Sequence, residues 1–230
     1  MKLLKEKFVK RIATLAAAAC AVAVMFVPGQ ASAEGAELRI SGTIVPAACT
    51  PAFAGGGVID YGGIPASSLN QTAQTTLAEK STQLTMTCEA PVRFGFKVID
   101  ERASTAVTSL TTIAGFPPNK KLGLGASDGK NIGAYSLQVT SQTDDGNPTV
   151  TLQSTNGGAS WWYGGDNGLM GDGGQIVSSK RVVGTGGGPD ARKSVTANIR
   201  VVTAIDKGSN LPLTHAIPLD GLSTFELVYL

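Results

Sequence analysis

The chain has 230 residues, 42% of them hydrophobic but only 6% aromatic, with 29 glycines and a formal net charge of +2. Five of its 19 basic residues lie in the first 11 positions, and the part after residue 33 carries 14 basic against 16 acidic side chains. No Lys/Arg cluster remains there to act as an electrostatic footprint, which argues against nucleic acid as a partner.

The first element in chain order is a leader. Residues 1–11 are basic, residues 12–27 form an almost unbroken apolar run, and Ala31-Ser32-Ala33 supplies small residues for cleavage before Glu34. The pattern predicts export. A membrane anchor is the competing reading, but 16 Ala-rich residues are short for a span and no second apolar run follows. A lipid anchor on Cys20 fits poorly, because the preceding Ala17-Ala18-Ala19 lacks a branched residue and the run continues past it.

Next, Glu37-Leu38-Arg39-Ile40-Ser41-Gly42-Thr43-Ile44 alternates apolar and polar residues, the period of a half-buried strand. Cys49 and Cys88 follow as the two cysteines left once Cys20 departs with the leader, and in an oxidising compartment they predict a disulfide. Closing that loop restrains the unfolded chain by about 4 kcal/mol on the entropy model. A metal or redox site would need more ligands, and His215 is the only histidine.

Short apolar runs then recur at residues 58–61, 83–88, 92–99, 134–140, 149–153, 177–183, 195–205 and 225–230, each bounded by Gly, Pro, Asn or Asp. No helical periodicity is sustained after the leader, so the fold class is all-β, organised as a sandwich. Leu84, Met86 and Cys88 share one parity, as do Val92, Phe94, Phe96 and Val98, which predicts two core faces with Arg93 and Lys97 turned to water.

Between residues 157 and 188 lie 12 of the 29 glycines, interleaved with Trp161-Trp162-Tyr163 and with Asp166 and Asp172. Adjacent aromatics beside Asp and Asn suit stacking on a sugar ring. The plainer reading, which we favour, is that they pin a long Gly-rich loop to the sandwich. The aspartates do not reproduce a twelve-residue Ca²⁺ loop, and we expect no metal. Catalysis finds little footing: His215 has no nucleophile elbow to serve, and Asp144-Asp145 beside Gly146-Asn147-Pro148 reads as a turn.

The leader, the alternating strand leading through Gly42-Thr43-Ile44-Val45-Pro46-Ala47-Ala48-Cys49, the second cysteine in Leu84-Thr85-Met86-Thr87-Cys88 and the ending Phe225-Glu226-Leu227-Val228-Tyr229-Leu230 together resemble chaperone-usher fimbrial subunits. Residues 60–69 also look like the segment such pilins carry between the cysteines, whereas residues 132–190 do not, so the likeness is to an enlarged branch of that family. The resemblance implies an incomplete immunoglobulin-like β-sandwich completed by a donor strand from another subunit. It implies a signal peptide over residues 1–33, a donor extension over 34–48 and a pilin domain over 49–230 with a Gly-rich insertion at about 155–190. Ala36, Leu38, Ile40, Gly42 and Ile44 would face a neighbour's groove. Phe225, Leu227, Tyr229 and the terminal Leu230 would form the groove edge that a periplasmic chaperone reads, although Gly221 lies closer to the end than the family's usual glycine.

The expected partners are that chaperone, an outer-membrane usher and neighbouring fimbrial subunits, with delivery to the cell surface, no cofactor and no enzymatic activity. The alternative is a minor or tip-proximal adhesive subunit binding glycan through Trp161, Trp162 and Tyr163. A secreted hydrolase on a β-sandwich is a third reading, which the shortage of catalytic residues disfavours.

Overall fold

The computed structural model describes residues 36–44, 47–112, 118–163, 168–181 and 187–230. The predicted leader therefore lies outside the described residues, as do Val45, Pro46 and Asp166. The chain divides into two compact units, residues 1–44 and 45–230. In the first, the described residues 36–44 form no strand; Leu38, Ile40 and Ile44 are 89%, 90% and 101% exposed. Alternation predicts a strand there, but an extended segment becomes one only when another edge satisfies its N–H and C=O groups.

The second unit is all-β, with only short 3₁₀ turns besides strands among its described residues. Its strands are β1 (Cys49–Phe53), β2 (Thr75–Thr76), β3 (Lys80–Val92), β4 (Phe94–Asp100), β5 (Leu122–Gly123), β6 (Ala126–Ser127), β7 (Lys130–Asn131) and β8 (Gly133–Asp144). Then come β9 (Asn147–Pro148), β10 (Val150–Ser154), β11 (Trp162–Tyr163), β12 (Leu169–Met170), β13 (Ile176–Lys180), β14 (Arg192–Ile205) and β15 (Ser223–Tyr229). One sheet runs in the order β1-β3-β14-β8-β12, with β2 on β14 and β5 and β9 on β8. A second runs β11-β10-β13-β4-β15, and β6 pairs with β7 as a separate hairpin. All the ladders between named strands are antiparallel, the arrangement that lets short Gly- and Asn-bounded connections do the folding.

Alternation explains the core. Leu84, Met86 and Cys88 on β3, Phe94, Phe96 and Val98 on β4, and Val195, Ala197, Ile199 and Val201 on β14 are all buried in one cluster fed by both sheets, a sandwich-like arrangement. The predicted run 92–99 is split: Val92 ends β3 opposite Arg192, and β4 begins at Phe94. Gly95 is required where it stands, since a Cβ there would lie 2.6 Å from Ile176 Cγ2 and 2.7 Å from the Val177 carbonyl oxygen. That close approach seats β13 beside β4. The predicted strand at 58–61 is not formed. Gly55, Gly56 and Gly57 take positive φ of 63°, 71° and 78° and turn the chain away from β1 before it can resume pairing. Residues 155–190, expected as an insertion, contribute β11, β12 and β13, so part of this Gly-rich stretch is sheet rather than loop.

Cys49 and Cys88 are disulfide-bonded and sit directly opposite each other in the β1–β3 register. Near the same end of the sandwich a buried ion pair on β14 and β8 reaches the second sheet. Arg192 of β14 and Asp144 of β8 are 1% and 0% exposed, with Nε and Oδ2 3.6 Å apart. The guanidinium lies 4.4 Å from the Phe94 ring centroid, and donates to the Phe94 carbonyl oxygen and, at 2.7 Å, to Ser178 Oγ. Asp144 accepts from Ser179 Oγ at 2.6 Å. Burial pushes the Asp144 carboxyl above its ordinary range and the Arg192 guanidinium below its own, so desolvation outweighs their mutual attraction. The turn read at Asp144-Asp145 belongs to Asp145 alone, with φ of 48°, its carboxylate held low first by the backbone N–H of Ser194 and then by that of Lys193.

Urea unfolding should show Phe94→Ala destabilised by about 3–5 kcal/mol, the cost of emptying a packed aromatic site. Asp144→Ala should lose about 3–5 kcal/mol by leaving a buried guanidinium without its counter-charge, while Asp144→Leu combined with Arg192→Met should recover most of that loss. A double variant as unstable as the single one would contradict this reading of the pair.

Candidate functional site

Two edges of the sandwich face one another without pairing. Among the described residues β1 bonds only to β3 and β15 only to β4, so each has one free side. They touch at one end, where the Cys49 N–H donates to Tyr229 Oη at 3.0 Å and the rings of Phe53 and Phe225 meet edge to face with centroids 4.9 Å apart. Beyond Phe53 the glycine turn carries the chain outward, and the space opens between residues 57–66 on one side and 211–225 on the other.

The opening is a continuous apolar groove made of two hollows that share Ile59, Tyr61 and Leu219. The narrower, about 170 Å³, lies beside Phe53 and Phe225 over a floor of Leu137, Ile199 and Val201, residues that belong to the core itself. The wider, about 520 Å³, is lined by Ile64, Leu69, Ile132, Leu213 and Ile217 among others. Gly221 lets this wall pass directly over Tyr135, whose Cε1 would lie 2.8 Å from a Cβ at that position. Polar groups line it as well, Asp60 and His215 in the wider hollow among them; Tyr61 OH donates to Thr203 Oγ1 at 3.0 Å, and Tyr135 Oη shares a 2.6 Å hydrogen bond with Ser223 Oγ. Burial raises the pKa of both phenols, which therefore remain protonated across the neutral range.

The residues expected at the groove edge lie on and just after β15. Phe225 and Leu227 are half-buried and pack on the core, while Thr224 and Glu226 point out. Tyr229 and Leu230 are exposed, Tyr229 reaching back to Cys49 and Leu230 donating its N–H to the Arg93 carbonyl oxygen. The expected donor residues Ala36, Leu38, Ile40, Gly42 and Ile44 fall in the other unit. Sequence reasoning missed the opposite wall, although Leu211, Leu213, Ile217 and Leu219 share one parity around prolines 212 and 218.

The remaining candidates are scattered. Trp162 and Tyr163 form β11 at the far edge of the second sheet, 41% and 42% exposed, while Trp161 packs against Gly188. Asp172 accepts the Asp100 N–H at 2.8 Å, and no group of three metal-ligating side chains occurs among the described residues. His215 meets both Ser127 Oγ, at 3.3 Å, and Asp128 Oδ2, at 3.7 Å, through the same Nε2, on an exposed surface. Its Nδ1 lies 3.4 Å from Thr214 Oγ1.

Residues 38–136 match the family model described as "Protein of unknown function (DUF1120)", a span that runs from the alternating extension through both cysteines and one wall of the groove. "Uncharacterized protein YhcF" of Escherichia coli (strain K12) is 26% identical over 48% of this chain and 52% of its own length. "Protein GltF" of the same organism is 30% identical over 97% of this chain and all of its own length. With that likeness running end to end, through the disulfide, the groove and the terminal strand alike, the chain belongs to the GltF family.

Proposed function

We propose that this protein is a structural subunit of a bacterial surface fimbria, held by a periplasmic chaperone, passed to an outer-membrane usher and polymerised by donor-strand exchange. Its sandwich is then of the immunoglobulin-like kind that lacks one strand. The observation carrying this reading is the apolar groove between the free sides of β1 and β15, floored by core residues. A strand laid there bonds the open side of β15 and covers that floor at once.

The occupant is residues 36–44 of a sibling subunit. Leu38, Ile40 and Ile44 share a parity, are exposed, and each gains about 1.5–3 kcal/mol on burial, with ladder hydrogen bonds added. Gly42 shares that parity and meets the groove where it is too shallow for a side chain. The extension precedes β1 by four residues, which lets one molecule both give and receive.

Deleting residues 36–44 should leave a subunit that the chaperone still captures but that cannot cap a neighbour, so electron microscopy of the deletion strain should show no fibres of this subunit. Fibres of ordinary length would refute the assembly. Tyr229→Ser should lower the steady-state subunit level in the periplasm, and undiminished levels would remove Tyr229 from chaperone recognition. An adhesive role for a minor subunit is the second reading, favoured only by the exposed Trp162 and Tyr163 on β11. A glycan array comparing wild type with Trp162→Ala decides it: loss of a wild-type signal supports the role, and no wild-type signal ends it.

A further inference from the structure

The closed end of the groove does not follow from the need for an acceptor. An acceptor needs two separated walls, yet here the walls are tied together by two contacts of different kinds: the Cys49 N–H on Tyr229 Oη at 3.0 Å, and the edge-to-face Phe53–Phe225 pair at 4.9 Å. We propose that these four residues form a clasp that holds the disulfide end of the groove shut while it is empty and must open for a strand to seat fully. The proposal rests on the strand-accepting reading above.

The two halves of the clasp differ in mobility. Cys49 is fixed, because its side chain is bonded to Cys88 and its backbone pairs with β3. Tyr229 has its backbone paired with Phe94 of β4, but its side chain is exposed and carries no covalent tie. The part that moves is therefore the tyrosine side chain and the two phenylalanine rings. A strand joining the free side of β15 needs about 4.8 Å of lateral room along its whole length. Where Phe53 meets Phe225, side chains occupy that room. The hydroxyl accepts a backbone amide that would otherwise face the empty groove, so the clasp also satisfies a donor at an unpaired edge. An entering strand would take over both tasks, supplying side chains between the rings and a backbone for the edge. The clasp is thus a stand-in for the missing strand at one end, and it sets how fast the groove fills without altering what the filled groove contains.

The test uses the full chain with its disulfide intact, Tyr229→Phe, which keeps the ring and removes only the hydroxyl, and Thr224→Val as a control. Thr224 lies on the same strand but faces outward, donating to Glu101 at 2.8 Å. Amide hydrogen exchange should rise about fivefold at Cys49 in Tyr229→Phe, the worth of one net hydrogen bond, and not in the control. Uptake of a synthetic peptide of residues 36–44, followed in stopped flow, should quicken by a similar factor with the bound signal unchanged. Unchanged exchange at Cys49 would show that the contact holds nothing and would overturn the clasp. Faster exchange with unchanged uptake would overturn the gating role while leaving the groove an acceptor. A wild-type chain that takes up no peptide would instead defeat the acceptor reading itself, and the gate with it.

Discussion

Everything in this molecule turns on a sheet edge that lies next to the core. β15 is bonded along one side to β4 over seven residue pairs, and its other side carries no ladder among the described residues. Phe225 and Leu227 nonetheless face inward, so the strand contributes to a core that it does not enclose. A backbone edge in water is tolerable, and the groove beside it has a floor of core residues that the present walls already keep largely from water. On the proposed reading, that pairing edge beside an apolar groove is what favours an extended peptide.

The supports of the groove are built from ordinary devices. The disulfide pins the start of β1 to β3 at a directly opposed pair, and three consecutive left-handed glycines then swing the chain away to form one wall. Gly221 allows the other wall to lie on Tyr135. At the disulfide end, the Arg192–Asp144 pair and the Phe94 ring lock the sheets together. The buried charges are not placed to hold a ligand. They specify how β8, β13 and β14 meet β4, which leaves the apolar end free to remain unfinished.

Much of this was legible in the residues. The runs at 83–88, 134–140, 195–205 and 225–230 each lie in strands, and at 83–88 the expected face of Leu84, Met86 and Cys88 is buried, because a period of two is a property of the extended backbone and needs no partner to be read. The disulfide was legible for a similar reason, as only one pairing was open to the two cysteines after the leader. Less visible was what pairing does. The run 58–61 had the right residues but follows a glycine turn that takes it off the sheet, and residues 37–44 alternate well yet form no strand. Asp144 was read as part of a turn, and since 48 positions separate it from Arg192 in the chain, nothing local announces that the two meet in the interior.

The chain by itself thus determined its class, its core faces, its one cross-link and the apolar parity at both ends, all of which follow from backbone period and side-chain chemistry within a few residues. Only the tertiary structure decided which edges stay open, that residues 211–219 wall a groove opposite residues 57–66, and that Tyr229 closes one end of it on Cys49. Those are facts of registry between segments more than 140 residues apart, and registry is set by the packing of the whole sandwich rather than by any stretch of its sequence.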